Sequence, residues 1–590
     1  MAESIISPGV YTRENDISYI TPAPIQAGAA FVGPTVKGPD NQPLVVTSYS
    51  DYVRKFGETF LSASNKQYEF LTSVAVKNYF QNGGQTALVT RIVSGTYDGA
   101  TSTFISASAK PGSQPFTLKT LGKGTIYNNA LTSTQPLTAT GSGQGFLNSD
   151  GSLVSGSEDN LRWEVSNVNN ALGSFSLIIR QGNDSTNNKT ILETFNVNLD
   201  PNSDNYIEKV IGNQYVTIGT DGSTSYNYVN GEYPNASNYI RVASVSLPTN
   251  YYLSNDGITV NTDGTNSYSA SLPVTGSGGF YNGAGATKSG ATFFSSIAST
   301  STDAQGVVAA SYNTALSLLA NKDEYQFNVI STPGLLYANT NFTSTVGQFI
   351  ALAESRGDCI AVVDLVQTGS AVSWVAQNAA TLNSSYAATY WPWLQIKSAT
   401  GRNEWVPAGT VIPGVYAFTD ASSAPWFAPA GLVRGGIGGV IQAERKLTKG
   451  DRDTLYSAKV NPIATFPGSG ISVFGQKTLQ TKASALDRVN VRRLLIELKK
   501  FIGDQARNLV FEQNTIATRT KFLAIVNPYL ESVVQRQGLY SFRVIMDDTN
   551  NTADVVDRNQ LVGQILIQPA KTIEFVVLDF TIEPTGATFA

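Results

Sequence analysis

The sequence predicts a multidomain protein of the α/β and α+β classes, and three observations carry this prediction. A chain of 590 residues is too long for a single hydrophobic core. Its 41% of hydrophobic residues are enough to bury several cores. Strand and helix patterns alternate on both sides of a long region rich in turn formers. We therefore expect a mostly parallel α/β core domain interrupted by a β-rich insertion, a C-terminal α+β domain, and extended terminal arms.

The first part of the core domain is predicted to lie within residues 26–95. Residues 67–80 place apolar side chains at helical spacing, and the pair Gly83-Gly84 follows as a stop signal. Residues 86–93 then have the pattern of a strand. The residues before this part, 1–25, are too few and too polar to form a core of their own, and we expect them to be an N-terminal arm.

Residues 96–324 are predicted to form the β-rich insertion, as one or possibly two subdomains. Positions 101–320 contain 23 charged residues, against 34 in the shorter stretch 441–590. Short alternating runs are separated by turn formers such as Asp256-Gly257. This pattern is typical of antiparallel strands joined by long polar loops.

The second part of the core domain is predicted at 325–460. Its elements should alternate, which favours a mostly parallel sheet covered by helices. In order, we expect a strand from Tyr325, a helix over Thr345–Ser355, a strand at 359–366, a helix near 372–382 and a strand around 388–396.

The C-terminal domain is predicted at 461–570, followed by a strand or arm at 571–590. Its centre is a basic amphipathic helix: seven basic and three acidic side chains lie between Lys482 and Arg507. The chain from Val544 onward is acidic instead, with two basic and seven acidic residues. The last strand alternates apolar and polar positions and is long for a chain end.

The composition argues against an enzyme. There is no histidine, which removes histidine-based triads, acid–base catalysis and metal sites. A single cysteine excludes an intrachain disulfide. The net charge of −4 gives no reason to expect nucleic-acid binding. No apolar stretch is long enough to predict a membrane-spanning helix. We expect no cofactor and no metal.

Four motifs that could carry chemistry have simpler structural interpretations. The glycine run at 434–440 lacks phosphate-loop spacing, so we expect a tight turn. Asp358 and Asp364 flank a strand of the predicted sheet, and we expect loop solvation or a helix cap rather than catalysis. The acidic cluster that begins at Asp547 does not match a calcium loop and is expected to be a turn. Cys359 is expected to be inert core packing.

The chain opens with SPGVYTREND, and its second half contains several distinctive blocks, of which DRVNVRRLLIELKKFI at 487–502 is the most specific. These blocks resemble the contractile tail sheath proteins of myovirus-type bacteriophages, and the opening is similar to the N-terminal arm of that family. The resemblance extends over about 26–95 and 325–590, whereas 96–320 corresponds only in position to the variable outward domains of such sheaths. The other blocks are YWPWLQI (390–396), WVPAGTVIPGVYA (405–417), APWFAPAGLVRGGIGGV (424–440) and LTKGDRDTLYSAKVNPIATFPGSGISVFGQKTL (447–479).

The resemblance implies a structural and mechanical protein without an active site. Sheath subunits form hexameric rings stacked helically around a tail tube, and contraction drives the tube through the bacterial envelope. The implied partners are further copies of the chain, the tail tube protein, and the baseplate and tail terminator proteins. The implied location is the virion tail, assembled in the host cytoplasm. The alternatives are a sheath of a bacteriocin-like injection machine, a hydrolase that uses carboxylates alone, and a β-rich adhesin.

Two groups of residues are predicted to make contacts with other chains. We expect the basic helix to face an acidic tube or another subunit through Arg488, Arg492, Lys499 and Lys500. The alternative is that Arg492 and Arg493 pair inside their own domain. We expect both arms to complete sheets in adjacent subunits, with the C-terminal strand pairing inside its own domain as the alternative. The arm residues are Val10, Tyr11, Ile17, Ile573, Phe575 and Val577.

Overall fold

A computed structural model describes most of the chain. The described residues are 25–61, 67–94, 98–102, 104, 114–123, 148, 150–153, 156–222, 224–263, 266–281 and 303–574. Most of the predicted arm residues lie outside these ranges: Val10, Tyr11, Ile17, Phe575 and Val577. Ile573 lies inside them.

The described part of the first core segment contains five strands and two helices. Its elements are β1 (Ile25–Gly33), β2 (Leu44–Val46), α1 (Tyr49–Phe56), β3 (Thr59–Leu61), β4 (Gln67–Glu69), α2 (Leu71–Gln81) and β5 (Ala87–Arg91). The helix predicted at 67–80 therefore begins only at Leu71. The three residues Gln67–Glu69 pair in antiparallel fashion with β3, and this tertiary pairing satisfies their backbone groups outside a helix.

The insertion is built from antiparallel strands. Its described elements are β6 (Gly99–Thr101), β7 (Phe116–Lys123), β8 (Leu161–Asn169), β9 (Ser174–Gln181), β10 (Ile191–Asn198), α3 (Ile207–Ile211), β11 (Tyr215–Asp221), β12 (Thr224–Asn230), β13 (Ile240–Val245), β14 (Thr262–Asp263), β15 (Asn266–Ser267) and β16 (Gly276–Gly279). Two sheets, β10-β9-β8-β16 and β13-β7-β6, contribute to one apolar core that includes Phe116 and Trp163. The described part of the insertion is thus organised around a shared core.

The second core segment runs from α4 to β24. Its elements are α4 (Asn313–Leu319), β17 (Tyr325–Leu336), α5 (Thr343–Arg356), β18 (Ile360–Asp364), α6 (Val372–Ala380), β19 (Ala387–Trp391), β20 (Leu394–Lys397), β21 (Asn403–Val406), α7 (Ile412–Ser422), α8 (Gly431–Arg434), β22 (Val440–Ala443), α9 (Lys449–Ser457), β23 (Asn461–Phe466) and β24 (Gly470–Val473). The single strand predicted at 388–396 is two strands. Pro392 lacks an amide hydrogen, and the chain leaves the main sheet there so that β20 pairs with β21 and β22 instead.

One eight-stranded sheet joins the two core segments, in the order β2-β5-β1-β17-β18-β19-β23-β24. The six inner strands are parallel, and β2 and β24 are antiparallel at the edges. β1 pairs directly with β17, with Ala29 opposite Val329, although the insertion separates them in sequence. The prediction of a mostly parallel sheet in a mixed α/β chain is confirmed. The sheet continues through β23 and β24, past residue 460 where we placed the end of the core.

Helices cover both faces of this sheet and bury one apolar cluster on each side. One cluster packs residues of α4, α5, α6 and α9 against the strands, including Tyr312 and Phe349. Because Tyr312 belongs to this cluster, the core also uses residues that we had assigned to the insertion. The other cluster packs α1, α2 and α7, together with Val489 and Ile496 from the basic helix.

The C-terminal region combines helices and strands. It contains α10 (Val489–Arg507), α11 (Ile516–Gln535), β25 (Leu539–Ile545), α12 (Ala553–Asp557) and β26 (Gln564–Pro569). Its core packs Leu494 and Leu498 of α10 against Phe522 and Val526 of α11, with Trp426 inserted from the loop after α7. None of the helices in the described ranges combines the length and the apolar character needed to span a membrane.

Candidate assembly surface

Two buried arginines of the basic helix α10 form hydrogen bonds with the core domain. The Arg493 guanidinium donates to both carboxylate oxygens of Asp420 in α7, at 2.6 and 2.5 Å, and lies 4.6 Å from the centre of the Tyr416 ring. Burial raises the pKa of Asp420, while the charge of Arg493 acts in the opposite direction. An ion pair of this kind, with a buried arginine and two hydrogen bonds to a half-buried carboxylate, fixes one geometry between the two helices.

Arg492 points into the core as well. Its guanidinium donates to the Ser385 carbonyl oxygen at 3.2 Å and to the Ser385 hydroxyl at 2.5 Å, and it stacks 3.9 Å from the centre of the Tyr386 ring. Only 4% of Arg492 is exposed. The structure therefore corrects the prediction that Arg492 faces a partner, because its donors are used inside the chain. Arg492 and Arg493 therefore bond inside the chain, but their partners lie in the core domain and not in the C-terminal domain that contains α10.

Arg488 is engaged within the chain by a residue that the sequence reasoning did not single out. Its Nε and Nη2 atoms donate to the two carboxylate oxygens of Glu574 at 2.6 and 3.0 Å, and it also lies 3.0 Å from Asp487. Glu574 follows 86 residues later in the chain. No local spacing pattern signals such a distant partner. Arg488 is thus placed against the start of the C-terminal arm of its own chain, and its contact with a partner stays a prediction.

The two lysines remain closer to solvent. Lys499 is exposed, with its Nζ 3.3 Å from the Tyr386 hydroxyl and 6.0 Å from the centre of that ring. Lys500 is half-buried, and its Nζ lies 3.5 Å from the Asn328 side-chain oxygen. Of the four predicted contact residues, Lys499 presents its charge most openly. A contact between Lys499 or Lys500 and a partner stays a prediction.

The motifs that we interpreted as structural have structural partners. Asp358 pairs with Arg356 at 2.8 Å, and Asp547 accepts hydrogen bonds from Thr549 in a turn. The amide of Val473 donates to the carbonyl of Gly435 at 2.8 Å, which ties the glycine run to β24.

Two further features bear on chemistry. Cys359 is fully buried, and burial raises the pKa of its thiol. No cluster of three or more acidic or cysteine side chains that could hold a metal ion occurs in the ranges that the structure covers.

Comparison with known families gives a consistent result over the second half of the chain. Residues 305–479 match the model of the phage tail sheath protein central domain, and residues 481–583 match that of the phage tail sheath C-terminal domain. These are the segments that contribute β17 to β24 and the unit around α10. Residues 305–479 and 481–583 are thus similar to two successive domains of phage tail sheath proteins, which agrees with the resemblance seen in the sequence.

Two curated relatives support this assignment. The chain is 34% identical over 314 residues to a tail sheath protein of Vibrio phage KVP40, covering 46% of each chain. It is also 34% identical over 262 residues to a tail sheath protein of Enterobacteria phage T4, covering 41% of this chain and 39% of the relative. The matched stretch thus spans less than half the length of either relative.

A solved structure extends the likeness in fold to most of the chain. The crystal structure of a sheath tail protein from Listeria innocua superposes with a TM-score of 0.52 and covers 92% of this chain and 95% of that one. Its sequence identity is 11%, so it speaks for the fold alone.

Proposed function

We propose that the chain is a structural and mechanical subunit of a contractile tail sheath, which polymerises as stacked hexameric rings around a tail tube and contracts to drive the tube through the host envelope. The observation that carries this proposal is the match of both sheath domains in succession, over 305–479 and 481–583. A structural rather than enzymatic role agrees with the lack of histidine. The chain would act in the virion tail, after assembly in the host cytoplasm.

The proposed partners follow from this role. They are further copies of the chain, the tail tube protein, and the baseplate and tail terminator proteins. A heterologous interface that does not close generates a helical array of identical subunits. Lys499 and the half-buried Lys500 are the candidates to face an acidic tube. Exposed ion pairs contribute less than about 1 kcal/mol each, which suits a contact between sheath and tube that must break during contraction. The two arms are proposed to pair with strands of adjacent subunits.

Negative-stain microscopy of the purified protein tests the proposal directly. Regular tubes with a wide lumen, formed alone or on added tail tubes, are the expected result. Monodisperse monomers at every salt concentration, with and without tail tubes, would refute it.

A further inference from the structure

We infer that Glu574 is a positioning residue: its carboxylate sits in a receptor formed by Tyr456, Gln476 and Arg488, and this fixes where and in which direction the C-terminal arm leaves its subunit. We call this receptor the Glu574 seat. The inference rests on the proposed sheath function, because an arm needs a fixed point of departure only if another copy of the chain receives it.

The seat satisfies the carboxylate completely. Oε1 accepts from Arg488 Nε at 2.6 Å and from Gln476 Nε2 at 3.1 Å. Oε2 accepts from Arg488 Nη2 at 3.0 Å and from the Tyr456 hydroxyl at 2.7 Å. Four donors therefore meet the roughly four acceptor positions of one carboxylate. Although burial by itself raises the pKa of Glu574, the hydrogen bonds from Arg488, Tyr456 and Gln476 outweigh burial and lower it.

The seat is built from parts of two domains. Tyr456 belongs to α9 of the core domain, Gln476 follows β24, and Arg488 immediately precedes α10. Gln476 is 3% exposed, and its Nε2 donates to both Thr572 and Glu574. Lys477 fixes the phenol in turn, with its Nζ 4.1 Å from the centre of the Tyr456 ring. Donors that are held in advance lose little conformational entropy when they receive a ligand group.

The seat also sets which side of the departing chain faces outward. Gln476 donates to the Thr572 hydroxyl at 2.5 Å, so Thr572 and Glu574 both face the subunit. Ile573 lies between them and is 84% exposed. In an extended chain, alternate side chains point to opposite faces, and a shift of one residue exchanges the two faces. Holding Glu574 therefore holds the outward orientation of Ile573.

The geometry gives the size of the effect on the departure point. The last backbone bond before the seat joins the Ala570 amide to the Gly538 carbonyl at 3.1 Å. Without the seat, the nearest preceding backbone anchor of residue 574 would be Ala570, four residues earlier. An extended chain spans about 3.5 Å per residue, so residue 574 could then sample a region about 14 Å in radius. Pairing with a strand of a neighbouring subunit requires a register within one residue. A larger sampled region lowers the effective concentration of the arm at that strand.

The experiment compares four forms of the full-length chain: wild type, Glu574→Gln, Arg488→Gln and the double variant. Glutamine keeps the shape of Glu574 but offers one acceptor oxygen in place of two, and its amide hydrogens oppose the donors of the seat. The control is Asp323→Asn, which breaks the exposed ion pair with Arg507 (2.7 Å) and leaves the seat intact. Light scattering follows polymerisation, electron microscopy shows the tubes, and a melting scan reports the stability of the unassembled subunit.

We expect Glu574→Gln to lower the polymerisation rate roughly tenfold, with a melting temperature within about 2 °C of wild type. Arg488→Gln should lower the rate similarly, and the double variant should be no slower than the slower single variant, since all three remove the same seat. Asp323→Asn should polymerise like wild type. Amide hydrogen exchange at Ala570, whose N–H bonds the Gly538 carbonyl next to the seat, should become faster in the unassembled Glu574→Gln subunit, which a role confined to global stability would not produce.

The outcomes separate the inference from the proposed function. If wild type forms tubes and Glu574→Gln forms them at the same rate, the seat does not position the arm, although the sheath function stands. If only Arg488→Gln slows polymerisation, Arg488 acts on a partner and the inference is wrong. If wild type forms no tubes under any condition, including added tail tubes, the proposed function itself fails. Should Glu574→Gln not fold, the same comparison with Tyr456→Phe, which removes one donor only, decides the question.

Discussion

Replacing Asp364 by asparagine should make the stability of the core domain less sensitive to a rise in pH from acidic to neutral values. Asp364 ends β18, is 5% exposed, and accepts a hydrogen bond from the Gly409 amide at 2.7 Å. Ser331 donates to the Gly409 carbonyl at 3.0 Å, so the two side chains hold the peptide groups on both sides of Gly409 just before α7. Burial raises the pKa of Asp364 from 3.8 to about 7, while the hydrogen bond from Gly409 acts in the opposite direction.

The sign and size of the effect follow from linkage. A carboxyl group with a raised pKa in the folded state binds its proton more tightly there than in the unfolded chain. Its contribution to stability is complete below the unfolded pKa of 3.8 and is lost as the pH rises towards 7. Between pH 5 and pH 8 this one group should lower the free energy of unfolding by about 2–3 kcal/mol. Asparagine keeps the acceptor for Gly409 and does not titrate, so Asp364→Asn should escape this loss.

The assay is thermal unfolding of wild type and Asp364→Asn at pH 5 and pH 8. A domain of this size shifts by about 2–4 °C per kcal/mol, so the melting temperature of the variant relative to wild type should rise by about 5–10 °C between the two pH values. The control is Asp453→Asn, an exposed position on α9, where the difference from wild type should not change with pH. An Asp364→Asn difference that is equal at both pH values would show that the carboxyl group does not titrate as the burial argument requires.

The remaining predictions address the ion pair of Arg493 inside the chain and the proposed contacts between chains. Asp420→Asn leaves the charge of the buried Arg493 without a carboxylate partner, and denaturant unfolding should show a loss of about 1–3 kcal/mol, because the Asp420 side chain is 34% exposed; an unchanged stability would contradict the account of this pair. Lys499→Glu should weaken cosedimentation with purified tail tubes without changing the melting temperature, and equal binding would exclude this contact. Replacing 98–281 by a Gly/Ser linker should preserve tube formation, because the core uses residues from 303 onward. Removing residues 1–20 should give a folded monomer that forms no tubes; tubes of unchanged helical order would exclude the N-terminal arm as a linkage.

Local sequence pattern was sufficient for the sheet but not for the contacts of the basic helix. The apolar run of β18 and the helical spacing of α2 depend on neighbours along the chain, and both elements are where the pattern predicts them, apart from the first residues of α2. The direction of Arg492 depends on Ser385 and Tyr386, which are about a hundred residues away. The charge of a side chain can be counted from the sequence, but whether it is exposed or buried depends on such distant partners.

The same limit applies to Glu574, whose role no spacing rule could indicate. Its four donors come from three separate parts of the chain, and only the folded core brings them together. The resemblance to tail sheath proteins, carried by contiguous blocks such as 487–502, needed no such long-range information and was confirmed. Contiguous blocks identify a family, whereas the partners of individual side chains require the fold.

The contacts of α10 indicate where movement within an assembled sheath would take place. The helix buries Val489 and Ile496 in the cluster under the main sheet and Leu494 and Leu498 in the C-terminal core, so it belongs to both domains at once. Separating the domains would expose these side chains, at about 1.5–3 kcal/mol each, and would break the ion pair of the buried Arg493. Exposed ion pairs, such as those proposed for Lys499, are worth less than about 1 kcal/mol. A contracting array of these subunits would therefore slip at contacts between chains while each core domain and its C-terminal domain moved together.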